Sequence, residues 1–435
     1  MQNKNMIAVF KGSDELLERL VKESRRHRNQ IGDKRYQFYL SGNLKVSDEV
    51  SREKLTPIVN QLLLSIRKKS TPKNYHKYRL NIEIIILNLA KCILNRQWCL
   101  IPLDNNAYGK YPYKNTGLSA RYVKEIVNTL DRLGKIEIIR GAKYQNQPTR
   151  TAIQPTESFA TNCLEAYLQS EDLGTPPYAT WSETKSKNKL LKEEMDYRGF
   201  IDEEYTPSES DVKQLERDEK DLGIINQFLS AHSWACKSSI TRKYSPRVGL
   251  SGRLYCAFQS LPQRRIPIRS NTLIDGKPIV EVDIKSSHMR MAVAQCHNEK
   301  LDREFYNIVE KETGVFQSKA KLFTMLSLSS ITRKQALGAF KSHKSGGGEL
   351  DFETLESYVF NRFDRIPYYE GWSLRLMNWE GEILKQVMLE GVKNNIVALP
   401  IHDAVAVQVE HKQWAETTLK RCWDEFMRYE GCLVG

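Results

Sequence analysis

Residues 398–408 read ALPIHDAVAVQ, an apolar run interrupted at its centre by His402-Asp403. The β-rich segments on either side predict two short strands joined by a tight hairpin. An ionisable pair at the tip of a buried hairpin has two readings. Asp is a favoured turn residue. A carboxylate held rigidly at a strand junction is also a metal ligand. The rest of the chain has to decide between them.

A second carboxylate stands in GKPIVEVDIKSSHMRMAVAQ. In IVEVD the alternation predicts a strand, with Val280 and Val282 on one face and Ile279, Glu281 and Asp283 on the other. The strand ends at or near Asp283, and SSHMRMAVAQC continues as a helix. An Asp at that corner reads as an N-cap or turn residue, or as a ligand. Taken together, Asp283 and Asp403 suit two Mg²⁺ ions, which prefer hard oxygens and take one or two carboxylates plus substrate phosphates. Such a pair of metals serves phosphoryl transfer.

Between the two lies KETGVFQSKAKLFTMLSLSS. Lys321 and Met325 fall on one helical face, and Gln317 and Ser329 extend the row. One Lys on such a helix is ordinarily surface, but facing two carboxylates it would neutralise the phosphates of an incoming nucleotide. Upstream, SPRVGLSGRLYCAFQSLPQRRIPIR interleaves Arg247, Arg253, Arg264, Arg265 and Arg269 with Tyr255 and Phe258. That mixture suits a nucleic-acid track, or a basic loop with a structural turn.

Charge points the same way. Sixty-six Lys and Arg against 53 Asp and Glu give a net charge of +13, which favours a polyanionic partner. At 435 residues the chain is long enough for two or three domains. No apolar run reaches the roughly 18 residues of a transmembrane helix, so no membrane partner is expected. MQNKNMIAVFKGSDELL meets charge too soon for a secretory signal. Eight Cys form no CxxC pair, so no zinc site is expected and a reduced, cytoplasmic setting is the simplest reading.

Four segments follow from composition and periodicity: 1–51, a basic helical segment; 52–165; 166–220, a polar linker or surface excursion; and 221–435. Within 52–165, LTPIVNQLLLSIRK and RLNIEIIILNLAKCILNRQW predict helices with apolar faces. Thr116–Ser119 is a turn ending on an N-cap. Val123, Ile126, Val127 and Leu130 make the face of a further helix, and Leu133-Gly134 stops it. KIEIIRG and TRTAIQP are strands around the polar tip KYQNQP. Helix, turn, helix, hairpin is the order of a winged helix-turn-helix, which this segment resembles. The resemblance implies DNA binding through Arg121, Lys124, Arg132, Lys143 and Arg150, with protein contacts as the alternative use of that fold.

The four stretches of the second half, in this order, resemble family A DNA polymerases and the related single-subunit phage and mitochondrial RNA polymerases. SGRLYCAFQSLPQRRIPIR is similar to the Gly-Arg-Leu segment that contacts primer-template duplex. VEVDIKSSHMRM resembles motif A, QSKAKLFTMLSLSS the motif B helix of the fingers, and LPIHDAVAV the His-Asp motif C. NWEGEILKQVML resembles the palm helix preceding motif C. The likeness covers residues 221–435, about half the chain.

It implies an α+β fold: a right-hand polymerase domain, with an antiparallel palm sheet and helical fingers and thumb, preceded by the mainly helical winged-helix domain. Asp283 and Asp403 would be the catalytic, metal-binding carboxylates, with the Ile284 carbonyl as a further ligand of two Mg²⁺, for which Mn²⁺ substitutes. Lys321 would grip the nucleotide phosphates and protonate the leaving pyrophosphate, beside Gln317 and Met325. His402 would steady the primer 3′ end. Arg253, Arg264, Arg269 and Glu380 would meet primer or template. Motif B begins with Arg in the family and with Gln317 here, so a phosphate contact is lost or moved, with Lys319 as a compensating candidate. It ends Tyr-Gly in the family and Ser329-Ser330 here. The sugar gate, five residues after the motif A Asp, is His288, whose bulk favours dNTPs, although Met325 is the residue of the RNA polymerase branch.

The expected activity is template-directed nucleotidyl transfer: DNA synthesis from dNTPs on a DNA template and primer, in replication of a plasmid or phage, with priming as an added capacity. An RNA polymerase or primase using rNTPs is one alternative. A non-catalytic DNA-binding replication initiator is the other.

Overall fold

The first described elements are helix α1 (Asp14–Arg25), strand β1 (Gln37–Tyr39), helix α2 (Glu49–Ser65) and helix α3 (Pro72–Asn95). The computed structural model describes residues 10–11, 14–25, 37–42, 49–66, 72–104, 106–110, 113–140, 143–144, 147–148, 151–168, 171–172, 174, 176–182, 205–264 and 266–428. The fold is α+β, and the chain divides into two units. The first is Met1–Gly174 with His232–Ser239 and Ser260–Ile279; the second is Thr175–Ala231 with Ile240–Gln259 and Val280–Gly435.

Helix α3 organises the first unit. Its pattern predicts one apolar face, yet all residues from Asn81 to Ala90 are buried. The reason is that α3 is surrounded: α1, α2, α4 (Ala120–Arg132) and α5 (Glu157–Leu168) all pack on it. Each fully buried Ile or Leu there is worth about 1.5–3 kcal/mol of transfer free energy. The buried amides are satisfied, as burial demands. Asn88 donates to the Ile84 and Ser41 carbonyls and accepts from the Ser41 N–H. Asn81 donates to the carbonyls of Lys77 and Gly117.

Between α3 and the expected turn at Thr116–Ser119 stand a strand, β2 (Trp98–Ile101), and a 3-10 turn, Ala107–Gly109. Ser119 is the N-cap of α4, and Gly134, at φ 62°, follows its end. Strands β3 (Ile136–Ile139) and β4 (Thr151–Pro155) are antiparallel, with Ile138 opposite Ile153. Lys143–Tyr144 pairs with Gln147–Pro148 between them. The sheet order is β1-β2-β4-β3, in which β1 and β2 are parallel.

The second unit holds two sheets. β5 (Ala179–Trp181), β6 (Thr241–Tyr244) and β7 (Ser251–Tyr255) form one, ordered β7-β6-β5. In the other, β8 (Lys277–Asp283), whose residues from Val280 on belong to this unit, lies beside the hairpin β9 (Leu399–Ile401) and β10 (Ala404–Gln408), in the order β8-β10-β9. Its helices are α6 (Glu209–Ser230), α7 (Ser287–His297), α8 (Phe305–Thr313), α9 (Gln317–Ser329), α10 (Arg333–Ser342), α11 (Glu349–Arg362), α12 (Ser373–Lys393) and α13 (Lys412–Met427). Helices α9, α10 and α11 share an aromatic core, with Phe323 and Phe340 edge-on to Phe352.

Residues 166–220, expected as a polar linker or surface excursion, include the β5 strand and half of α6. Helix α6 opens with a capping box between Ser208 and Asp211. Its charged residues are not merely solvated. Asp218 is fully buried and accepts from Arg242 at 2.9 Å and Lys385 at 2.6 Å. Arg242 also bonds Glu382, the Gly252 carbonyl and Asn378, so one guanidinium ties α6, β6, β7 and α12 together. Burial pushes the Asp218 carboxyl up, but the charges of Arg242 and Lys385 outweigh it and leave it below its ordinary value.

Among the described residues, no helix is long and apolar enough to cross a membrane. The seven described Cys are free thiols, and Cys432 lies outside the described residues.

Candidate active site

Strand β8 ends at Asp283, and the chain turns sharply through Ser286, at φ 57°, into α7. Across the sheet, His402 at φ 53° makes the two-residue turn between β9 and β10. Left-handed backbone at a non-glycine residue costs free energy, and here it stands at the corner beside each carboxylate. The Ile284 N–H donates to the Asp403 carbonyl at 3.1 Å, which fixes corner and turn to each other. Asp283 and Asp403 therefore open into one cleft of about 830 Å³, which also takes in Arg253, His288, Gln317, Lys321, Met325 and Glu380.

That cleft gathers nine of the residues singled out from sequence, Ser329 included. On α9, Ala320, Phe323, Thr324, Ser327 and Leu328 are buried, while Lys321, Met325 and Ser329 stay exposed along the cleft wall. The Lys321 ammonium lies 3.2 Å from the Gln317 amide oxygen and 5.5 Å over the Tyr306 ring.

The carboxylates are electrostatically unlike one another. Burial pushes Asp403 up to about 6, with the charge of Glu380 adding to it and Asp283 contributing further. Asp283 is also raised, first by burial. Burial would raise Glu380 as well, but His288 and Arg253 outweigh it and bring it down to about 2. Glu380 is thus paired within the cleft, whereas Lys285 draws Asp283 down and Arg253 draws Asp403 down without offsetting their burial. Two carboxylates opening into one cleft are the ligand number that a Mg²⁺ site on a phosphate substrate ordinarily uses. Among the described residues no group of three or more His, Cys, Asp or Glu is arranged to hold a metal. The protein's share of such a site is those two side chains.

Several expected residues stand differently. Glu380, read from sequence as a nucleic-acid contact, has a side chain only 1% exposed and is bonded to Arg253 and His288. It holds cleft residues instead of presenting itself. Lys319, expected as a compensating phosphate contact, pairs with Asp351 at 2.7 Å and does not line the cleft. His402 is exposed at the turn and Ile284 is buried, and neither lines the cleft. Arg264 and Arg269 belong to the first unit. On α4, Arg121 and Lys124 are exposed, whereas Arg132 donates to the Ser65 carbonyl. Arg150, Arg265 and the Lys143 side chain lie outside the described residues.

Sequence reasoning missed Arg303, Lys285 and Arg290. Arg303 precedes α8 and is exposed at the cleft edge, as is Lys285 beyond Asp283. Arg290 is buried and donates to the carbonyls of Lys285 (2.9 Å) and Leu301 (2.7 Å), so it holds both segments in place. No local pattern marks Arg303, since its meaning comes from the Arg290 bridge. No protein-family model matches the chain, and no curated protein matches it.

Proposed function

We propose that the second unit performs template-directed nucleotidyl transfer, in the first instance DNA synthesis, with this cleft as its active site. The observation that carries the reading is the meeting of Asp283, at a strand end, and Asp403, at a hairpin turn, in one cleft faced by Lys321 of α9. The ordered likeness to family A polymerases supports it. In that reading the β8-β10-β9 sheet is the palm, α8–α11 are the fingers, and the Gly252-Arg253-Leu254 strand lies along the duplex.

Asp283 and Asp403 would hold two Mg²⁺, or Mn²⁺ in their place. The ions would activate the attacking 3′-hydroxyl and stabilise the leaving oxygen. The protein's residues do the rest. Lys321 neutralises the triphosphate and passes a proton to the departing pyrophosphate. Arg303 and Lys285 add cationic charge at the cleft edge. His288 lines the cleft, and in this reading its bulk would crowd a ribose 2′-hydroxyl and favour dNTPs.

We further propose that the first unit binds duplex DNA in the manner of a winged helix, with α4 towards the groove and the β3–β4 hairpin as the wing. The exposure of Arg121 and Lys124 on α4 supports this.

The test is incubation of the full chain with Mg²⁺, a labelled primer-template and either dNTPs or rNTPs. Extension with dNTPs in preference to rNTPs is expected. Equal use of both makes the protein an RNA polymerase or a primase, which an arm without primer separates. Duplex binding with no product in any arm leaves a non-catalytic initiator.

A further inference from the structure

Glu380 is bonded by two cleft side chains, one on each oxygen. Its Oε2 accepts from Arg253 Nε at 2.9 Å and Nη2 at 2.5 Å, and its Oε1 faces His288 Nε2 at 3.2 Å. The carboxylate is nearly sealed from water, whereas the side chains of Arg253 and His288 are 21% and 19% exposed into the cleft.

Its position is set by backbone packing. Gly381 follows it on α12, and a Cβ there would stand 2.1 Å from the Gly252 carbonyl oxygen. The helix therefore lies directly on β7, and Glu380 cannot shift without moving both elements. His288 is the second residue of α7. Apart from the Glu380 contact and an Arg253 Nη2 3.4 Å away, no further polar partner among the described residues orients its ring. A bulky ring excludes a hydroxyl only where it is held.

Building on the nucleotidyl-transfer reading, we propose that Glu380 is the positioning residue for sugar selection: it fixes His288 in the cleft. The carboxylate that anchors Arg253 thereby also decides which nucleotide is accepted. Glu380 touches neither nucleotide nor primer and acts through His288.

The test is the ratio of kcat/KM for a dNTP to that for the matching rNTP, measured for wild type, Glu380→Ala, Glu380→Gln, His288→Ala and the Glu380→Ala/His288→Ala double variant. Glu380→Ala and His288→Ala are each expected to lower the ratio about 10-fold or more, the scale of one mispositioned contact. The double variant should fall no further than His288→Ala alone. Gln, which keeps the shape and two hydrogen-bonding atoms, should hold the ratio within about 3-fold of wild type. A general structural role would lower both kcat/KM values and leave their ratio alone. If Glu380→Ala does not fold, Glu380→Asp, which retracts the carboxylate by one methylene, must lower the ratio. An unchanged ratio in an active Glu380→Ala or Glu380→Asp protein, or multiplicative losses in the double variant, overturns the inference alone. If the wild-type protein adds neither nucleotide, the nucleotidyl-transfer reading falls and this inference falls with it.

Discussion

At the scale of single residues, the cleft is a balance of charge. Arg253 and His288 outweigh the burial of Glu380, whereas Lys285 beside Asp283 and Arg253 near Asp403 leave both carboxyls raised. The raised Asp403 has a direct consequence for pH. Its carboxyl goes from an ordinary unfolded value near 3.8 to about 6 in the fold, so the folded state binds the proton more tightly. The stability this lends is complete below about 4 and is lost as pH rises through 6. Under the proposed two-metal site, divalent cations would reverse that loss by binding the ionised pair. The midpoint of thermal unfolding should therefore rise with added Mg²⁺ or Mn²⁺ at pH 7.5 and hardly change at pH 5. Equal effects at both pH values would remove the carboxylate pair as the metal-binding group. Arg303 carries a second prediction. It is a cation exposed at the cleft edge, next to the Leu301 and Asp302 carbonyls that Arg290 holds, and under the proposed function it should serve the triphosphate. Arg303→Ala should raise KM for the nucleotide about 10-fold with primer-template affinity unchanged, and Lys319→Ala should leave KM as it is.

At the scale of elements, the site depends on a helix and a strand that touch backbone to backbone. Gly252, at φ 65°, has no room for a Cβ beside Tyr244 and Asn378, and Gly381 has none beside the Gly252 carbonyl. Gly381→Ala should push α12 off β7, lower stability by about 1–3 kcal/mol, and reduce catalysis more than it reduces duplex binding. Urea unfolding and single-turnover rates check both halves.

This is also the scale at which sequence reading succeeded and failed. The hairpin at His402-Asp403, the strand ending at Asp283 and the exposed row on α9 were legible because each rests on a local period or turn. The Arg242 network was not, since Asp218 lies 24 residues away and Glu382 lies 140 away. A polar run at 209–220 therefore read as a linker, although it is a helix with a buried charge. Likewise, the pattern of α3 gives one apolar face, and only the helices packed around it explain its full burial.

At the scale of the molecule, a net charge of +13 belongs to the whole chain, and the exposed α4 pair Arg121 and Lys124 tests one part of it. If both meet phosphates, the Arg121→Ala/Lys124→Ala double variant should bind duplex DNA more weakly. The slope of log affinity against log salt should become shallower by about 2. An unchanged slope would assign α4 to another use.

The most direct test of the central claim compares wild type with Asp403→Asn, a nearly isosteric change, in Mg²⁺-dependent extension of a labelled primer-template. Wild type should extend the primer with dNTPs. Asp403→Asn should bind the same duplex and make no product. Extension by Asp403→Asn at a rate near wild type would contradict the account.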